Sequence, residues 1–524
     1  MRATLLLIAV ALTGCTVSFD LPTFVGVTRW PDFDAGPTQP RATLDFVSTG
    51  RIASTAVFAP YWGTNIGVRA EGVGLGDFDD DGDLDAIVSS TGVQSERAVL
   101  LRSDLVPAGA RSTFVDVSGA AWPAAPLASP CDTVARDFLY APPLLIVVPP
   151  APMWTPCAYR QTAPLAFTAL SAVELPLAGP ADVVAAADLD GDGALDLLVG
   201  GTGSPTHWLW SARDHWEERS SSPIDLTDLA AAAFVDVDGD AVLDLVTLSN
   251  ASTGSAHLLH GSSAAAFAPT SDSVALETRS VGARRLAAAD LDGDARADLA
   301  LFDVDSSPAT VSFFWNASHD GVLAFDTTTM PLATSLGAID QLQVMTGDLD
   351  DDGWMDVLVT TGGATFVVLQ NRGDRTFSER TFTASDVNDV HTAALGDVDL
   401  DGDLDVVLCW GPTAVPIQRE CSFVDNQTNG DDFLELALRG HAGNANAIGA
   451  RVVLFPAGHL GDFGARPLIE RQVVASSSSH GATLVHVGLP PSGTFDVRVV
   501  WPSGATPTDI LGVERGARLR VQEP

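Results

Sequence analysis

The chain contains no lysine. All 28 of its Lys and Arg residues are arginine, set against 67 Asp and Glu, for a formal net charge of −39. Such an anionic excess argues against a nucleic-acid binder, because phosphate contacts need clustered cations. Cysteine is scarce at 5, methionine at 5 and tyrosine at 3. No Cys-x-x-Cys pair occurs, which removes the usual zinc and redox spacings. H-E-x-x-H, G-x-S-x-G and a glycine-rich phosphate loop are also missing, and the 10 histidines are scattered. No catalytic constellation can therefore be read from neighbours in sequence. The apolar run from Leu5 to Leu12 is too short for the roughly 20 residues of a bilayer-spanning helix. What the chain does have is 46% hydrophobic residues, 47 glycines and 32 prolines, enough for a packed core broken by many turns.

The first residues read as an address. Arg2, the run Leu5–Leu12 and then Thr13-Gly14-Cys15 have the build of a secretory signal over residues 1–14. Leu12-Thr13-Gly14-Cys15 resembles the lipobox of bacterial lipoproteins, which implies a diacylglycerol on Cys15. Thr16 rather than Asp follows, so the expected location is the cell envelope of a bacterium, at the outer membrane or cell surface. Residues 15–40, rich in Pro and Asp, read as a tether. The other four cysteines suit two disulfides in an exported protein, with Cys131–Cys157 and Cys409–Cys421 as the local pairings.

The acid is concentrated. A nonapeptide, D-x-D-x-D-G-x-x-D, occurs six times, at 77–85, 188–196, 236–244, 290–298, 348–356 and 397–405, and holds 28 of the 67 acids. Carboxylates gathered this way repel one another unless a hard cation joins them. Ca²⁺ takes six to eight oxygens, and alternating aspartates on a tight loop supply them. Positions 1, 3, 5 and 9 are the expected side-chain ligands: Asp77, Asp79, Asp81 and Asp85; Asp188, Asp190, Asp192 and Asp196; Asp236, Asp238, Asp240 and Asp244; Asp290, Asp292, Asp294 and Asp298; Asp348, Asp350, Asp352 and Asp356; Asp397, Asp399, Asp401 and Asp405. Position 7 is expected to add a backbone carbonyl, from Asp83, Ala194, Val242, Arg296, Trp354 and Asp403. Glycine at position 6 allows a sharp turn. Ala241 and Ala295 replace it in the third and fourth loops, where weaker Ca²⁺ binding is expected because a left-handed alanine costs about 1–2 kcal/mol.

The repeat also predicts the fold. Spacing between loops is near 50 residues except for a double gap after the first, where Asp137-Phe138-Leu139-Tyr140 and Leu144–Val148 fit an eroded unit whose first Asp is Asp137. Each unit reads as four short strands: a small-residue strand into the loop, an apolar strand out of it, and two more. Seven such sheets make an all-β, seven-bladed β-propeller. Leu44–Val47 supplies a strand that closes the last blade and leaves no open edge. The nonapeptide and its flanking strands resemble the FG-GAP/VCBS repeat of integrin α-subunit propellers, over residues 41–428. That resemblance implies the propeller fold and Ca²⁺, and no single function.

After residue 428 the repeats stop. Alternating runs Phe433–Leu438, Arg451–Phe455, Leu484–Val487 and Phe495–Val500 predict a small β-sandwich-like domain over 429–524. Three pieces, Asn446–Arg451, His486–Leu489 and Trp501–Gly504, resemble the ASPIC/UnbV domain. With the propeller before it, the whole resembles the cartilage acidic protein family, which implies an extracellular protein without transferable catalytic residues. The expectation is a lipid-anchored, calcium-stabilised, non-catalytic scaffold for a protein or glycan. The alternatives are a lectin with sugar sites at Trp62, Trp208 or Trp210, and an enzyme on a propeller platform. The runs His207–Trp210 and His257–His260 read as alternation on an outer strand. Arg372-Gly373-Asp374 reads as a glycine turn, and Asn250, Asn316 and Asn426 head glycosylation-type triplets that matter only in a eukaryotic secretory route.

Overall fold

The computed structural model describes residues 27–29, 46–53 and most of 69–524. The longer stretches of the latter span that lie outside the description are 106–113, 118–136, 149–156, 270–282, 411–419 and 475–483. The signal, Cys15, Trp62 and Cys131 fall outside the described residues as well. Among those described, all regular structure is strand, and no helix is long and apolar enough to cross a membrane.

Among the described residues the strands form nine four-stranded sheets, and seven of these are antiparallel sheets that follow one another along the propeller repeats. The blade that carries the second loop is typical. Val183–Ala187 leads into the loop, Asp196–Gly201 leaves it, and Ser204–Ala212 and His215–Glu218 complete the sheet. The last blade is made from both ends of the propeller: Phe46–Ala53 pairs with Glu420–Asn426, Phe46 facing Asn426. This is the closure that the sequence predicts, and it uses the chain's own backbone to cover an edge.

Period-two alternation explains how one strand serves two interfaces. Ala231, Ala233 and Val235 pack towards the following blade, onto Leu286 and Leu299. Ala232 and Phe234 pack towards the preceding one, onto Val183 and Leu198. Equivalent clusters join each neighbouring pair, including the last blade to the first through Val73, Ala86, Ala394 and Val407. Four first strands, Arg69–Gly76, Val183–Ala187, Leu229–Val235 and Ala283–Ala289, are rich in alanine or glycine, and first strands of neighbouring blades approach one another closely, where larger side chains would clash.

The eroded unit forms a blade from Asp137–Ala141, Leu144–Val148, Cys157–Ala163 and Ala166–Ala169. Its register differs from the expectation. Asp137 opens the first strand, opposite Val148, instead of following that strand as the other first-position aspartates do. Only residues 142–143 lie between the two strands in sequence, in the place of the nine-residue loop.

The C-terminal domain is a sandwich of two sheets, one of Phe433–Arg439, Leu484–Gly488 and Ala517–Gln522, the other of Arg451–Pro456, Ile469–Gln472, Phe495–Val500 and Thr508–Val513. Leu434, Leu436, Val452, Leu454, Val497 and Val521 fill the space between them. Its edge strand comes from the segment read as a tether: Val27–Arg29 pairs with Leu519–Val521. Cys157 and Cys409 each belong to a disulfide, and Cys421 stands directly across from Cys409 in the sheet.

Candidate metal centre

Each nonapeptide is a knot of Asx-type hydrogen bonds. In the second loop, the Asp188 carboxylate accepts the N–H groups of Gly191, Asp192 and Gly193 at 2.9–3.1 Å. Position 5 accepts the N–H of position 7, as Asp192 does from Ala194 and Asp352 from Trp354. The same bond holds Asp83, Val242, Arg296 and Asp403. Position 9 is the deepest. One of its oxygens accepts the position-2 N–H at 2.9–3.2 Å in all six loops. The other accepts an N–H at the end of the third strand at 2.6–2.9 Å. Asp85, Asp196, Asp244, Asp298, Asp356 and Asp405 therefore fasten loop to sheet, whatever else they bind.

These bonds draw the carboxylates together. Oxygens of Asp77, Asp79 and Asp85 lie within 4.8 Å of one another, as do those of Asp188, Asp190 and Asp196, of Asp236, Asp238 and Asp244, and of Asp290, Asp292 and Asp294. At position 3, one buried oxygen of Asp79, Asp292 and Asp350 has no hydrogen-bond partner. Burial and mutual repulsion hold several of these acids above the ordinary carboxylate range. Burial and then Asp79 lift Asp85 to about 9, burial and then Asp397 lift Asp401 to about 10, and burial lifts Asp196 to about 7. Asp356 and Asp405 are raised well above the normal value by burial, followed by the position-3 aspartates Asp350 and Asp399. Orphaned, converging and uncompensated carboxylate oxygens fit a hard divalent cation.

Two turn positions shape the loop. Position 6 is left-handed as expected, from Gly82, Gly193, Gly353 and Gly402; Ala295 adopts φ 68° in the fourth loop, and Ala241 lies outside the described residues. Position 4 is left-handed too, which the sequence reading missed. Glycine serves there in the second, third and fourth loops, whereas Asp80, Asp351 and Leu400 take φ of 64°, 55° and 57° in the others.

Several further residues join the site. His260 is not a mere alternating strand residue: its Nδ1 lies 3.2 Å from Asp238 and 3.1 Å from Asp244, and it clusters with Asp238 and Asp240. In the fourth loop, Arg375 reaches Asp292 at 2.7 Å from the adjacent blade, and Arg296 pairs with Asp294. Arg375 belongs to the turn that contains Arg372-Gly373-Asp374. Arg372 bonds Ser378, and Asp374 accepts from Thr376. Asn316, Asn371 and Asn426 end third strands fully buried, and their amides donate to the position-2 carbonyls of the preceding loop, Val237, Leu291 and Leu349. The triplets at Asn316 and Asn426 are thus inter-blade latches with no accessible amide. Trp208 and Trp210 are buried, Trp208 stacked on Phe267, which leaves neither face open to a sugar.

The C-terminal domain sits on the aspartate face. Arg439 and Arg520 bind Asp77 and Asp80 of the first loop. Gly443 accepts the N–H of Leu195 at the second, and Arg451 lies 4.0 Å from Asp236 at the third. At the fifth, Arg471 donates to the Gly353 carbonyl, the Gly488 N–H to Asp348, and His486 lies 2.8 Å from Asp351. At the sixth, Arg518 is 2.5 Å from Asp397. Burial alone would raise Glu435, but Arg518 and His486 pull it down to about 2. Glu435 therefore anchors a fully buried charge network at the join.

Fold and loops define an all-β propeller with repeated acidic turns and a C-terminal sandwich. The chain carries FG-GAP-like repeats, matched at residues 188–247, 290–359 and 348–408, and an ASPIC and UnbV domain at residues 440–524. No curated protein matches its sequence. Among solved structures, several are similar at low identity. BP39L lectin from Burkholderia pseudomallei is 11% identical over 69% of this chain and 98% of its own, with a TM-score of 0.44. YCF48 bound to D1 peptide is 10% identical over 75% and 99%, with a TM-score of 0.40. BBS1N in complex with ARL6DN is 11% identical over 74% and 98%, with a TM-score of 0.39.

Proposed function

We propose that this protein is a calcium-stabilised, non-catalytic binding scaffold, exported and held at the bacterial cell envelope by a lipid on Cys15. The observation that carries the calcium reading is the pair of buried position-3 oxygens, on Asp79 and Asp292, that lack partners and belong to converging carboxylate clusters. The ion neutralises the loops and holds strand ends together; it takes no chemical step. The propeller face away from the C-terminal domain is left for a protein or glycan. The acidic surface sets nucleic acid aside as a partner.

Calorimetric titration of calcium into the chelator-stripped chain tests the metal. Heat of binding and a raised melting temperature are expected. Absence of heat together with unfolding indifferent to calcium overturns the reading. Pull-down from the native envelope, with wild type and Cys15→Ser compared for membrane retention, tests the scaffold and its anchor.

A further inference from the structure

In the first and fifth loops two acids face the C-terminal domain, at positions 1 and 4. At position 1, Arg439 and Arg520 reach Asp77, and the Gly488 N–H donates to Asp348. Asp80 and Asp351 are the position-4 acids. Asp80 pairs with Arg439 at 2.6 Å and Arg520 at 3.2 Å, and Asp351 lies 2.8 Å from His486, both side chains buried. Neither acid is needed to form the loop, because the second, third and fourth loops use Gly191, Gly239 and Gly293 at that position with the same left-handed φ.

The contact is close as well as charged. Added Cβ atoms would strike Phe433 at Gly402, Ala194 at Gly443 and the Asp351 backbone at Gly488. Surfaces that approach this closely need both partners held in shape. The first loop carries six acids and the fifth carries five. A divalent ion within and one or two arginine or histidine cations outside do not exceed that charge, so the two can be present together.

We propose that the C-terminal domain is a cap whose docking is selected by Asp80 and Asp351 and linked to calcium, the ion ordering the loop surface that the cap's arginines and His486 read. The linkage rests on the calcium reading above; the roles of Asp80 and Asp351 do not. Anything that binds the ordered loops stabilises the docked cap, and the cap in turn raises calcium affinity.

Two amides report docking directly in the full chain. Gly488 N–H donates to Asp348 and Leu195 N–H to the Gly443 carbonyl, each bond crossing the join. The test is residue-resolved hydrogen exchange at these amides in the Asp80→Gly/Asp351→Gly double variant, with calcium stoichiometry measured alongside. Glycine suits the left-handed backbone, so the loops keep their fold. Exchange at both amides should rise roughly tenfold or more, since the change removes a buried partner of His486, while the number of bound calcium ions stays the same. Unchanged exchange, or loss of calcium sites, overturns the assignment of Asp80 and Asp351.

In wild type, chelation should speed exchange at the same amides. If calcium demonstrably binds and leaves but exchange does not move, the linkage falls and the calcium reading stands. If no calcium binds at all, the calcium reading and the linkage both fail, and the double variant still decides whether position 4 selects the cap.

Discussion

The second and fourth loops share one nonapeptide plan with four aspartates each, yet they meet different neighbours. Among the described residues, no arginine or histidine pairs with an aspartate of the second loop. In the fourth, Arg375 grips Asp292, Arg296 pairs with Asp294, and Arg471 opposes the burial that raises Asp290. The backbone geometry is set locally, by Asx bonds and two left-handed residues. The counter-charge varies: the fourth loop supplies Arg296 itself, and the neighbouring blade and the cap extend Arg375 and Arg471. The motif therefore specifies a cage, and its surroundings decide how much the cage depends on an inorganic ion.

The largest expected effect is that of stripping the metal. An extracellular-type site adds about 0.4–1.4 kcal/mol at roughly 1 mM calcium, so several sites together approach a domain's net stability of about 5–15 kcal/mol. The sign with pH follows from the raised acids. Asp188 at about 6, Asp196 at about 7 and Asp85 at about 9 hold protons in the metal-free folded state that the unfolded chain releases above about pH 4. Metal-free stability is then greatest in mild acid and falls as pH climbs through those values. Chelator should lower the melting temperature much more at pH 8 than at pH 5; a drop that does not vary with pH breaks the account of uncompensated carboxylates.

Next comes position 9. Asp356→Ala strands two buried N–H groups, of Leu349 and Asn371, at about 1–3 kcal/mol each. A loss of about 2–6 kcal/mol in urea unfolding is expected, and most of it should persist in chelator because these bonds need no metal. A loss that disappears in chelator would make position 9 a ligand first and a fastener second.

How much of this is legible in sequence follows from the range of the interactions. The loops are legible because aspartate and glycine at fixed offsets encode both the turn and the oxygen set within nine residues. The blades are legible from the apolar runs that flank each loop, and the closing strand from a run with no partner before it. The cap's seat is not legible, because it joins Arg439 to Asp77 and Arg518 to Asp397, pairs with no local pattern. The buried latches at Asn316 and Asn426 were hidden behind triplets that suggest an exposed asparagine. Val27–Arg29 was hidden in a proline-rich segment that gives no strand period. Strands Ile469–Gln472, Thr508–Val513 and Ala517–Gln522 are short and mixed in polarity, so alternation alone did not mark them.

A smaller effect separates the two loops themselves. Asp192→Ala should cost about 1 kcal/mol of calcium-dependent stability, whereas Asp294→Ala should change that part little, since Asp294 already has Arg296. Ala295 adds to the difference by adopting φ 68° without glycine's freedom. Equal calcium-dependent losses in the two variants would remove the distinction between the loops.

The finest test reverses the comparison. Arg375 itself sits at φ 64° and its side chain is 38% exposed, so Arg375→Gly relieves backbone strain while removing two ion pairs, to Asp292 and Asp326, of about 0–1 kcal/mol each and a contact over the Trp315 ring. Net stability without calcium should fall only modestly. Asp292 would then lose its guanidinium while keeping a buried oxygen that already lacks a partner, and the fourth loop would come to resemble the second. Combined with Arg296→Ala, the change should raise calcium affinity at this loop, seen in calorimetry as a steeper or additional binding step. If the variant binds calcium no better than wild type, the arginines are not standing in for an ion, and the loops differ for a reason internal to the nonapeptide, with Ala295 the first candidate.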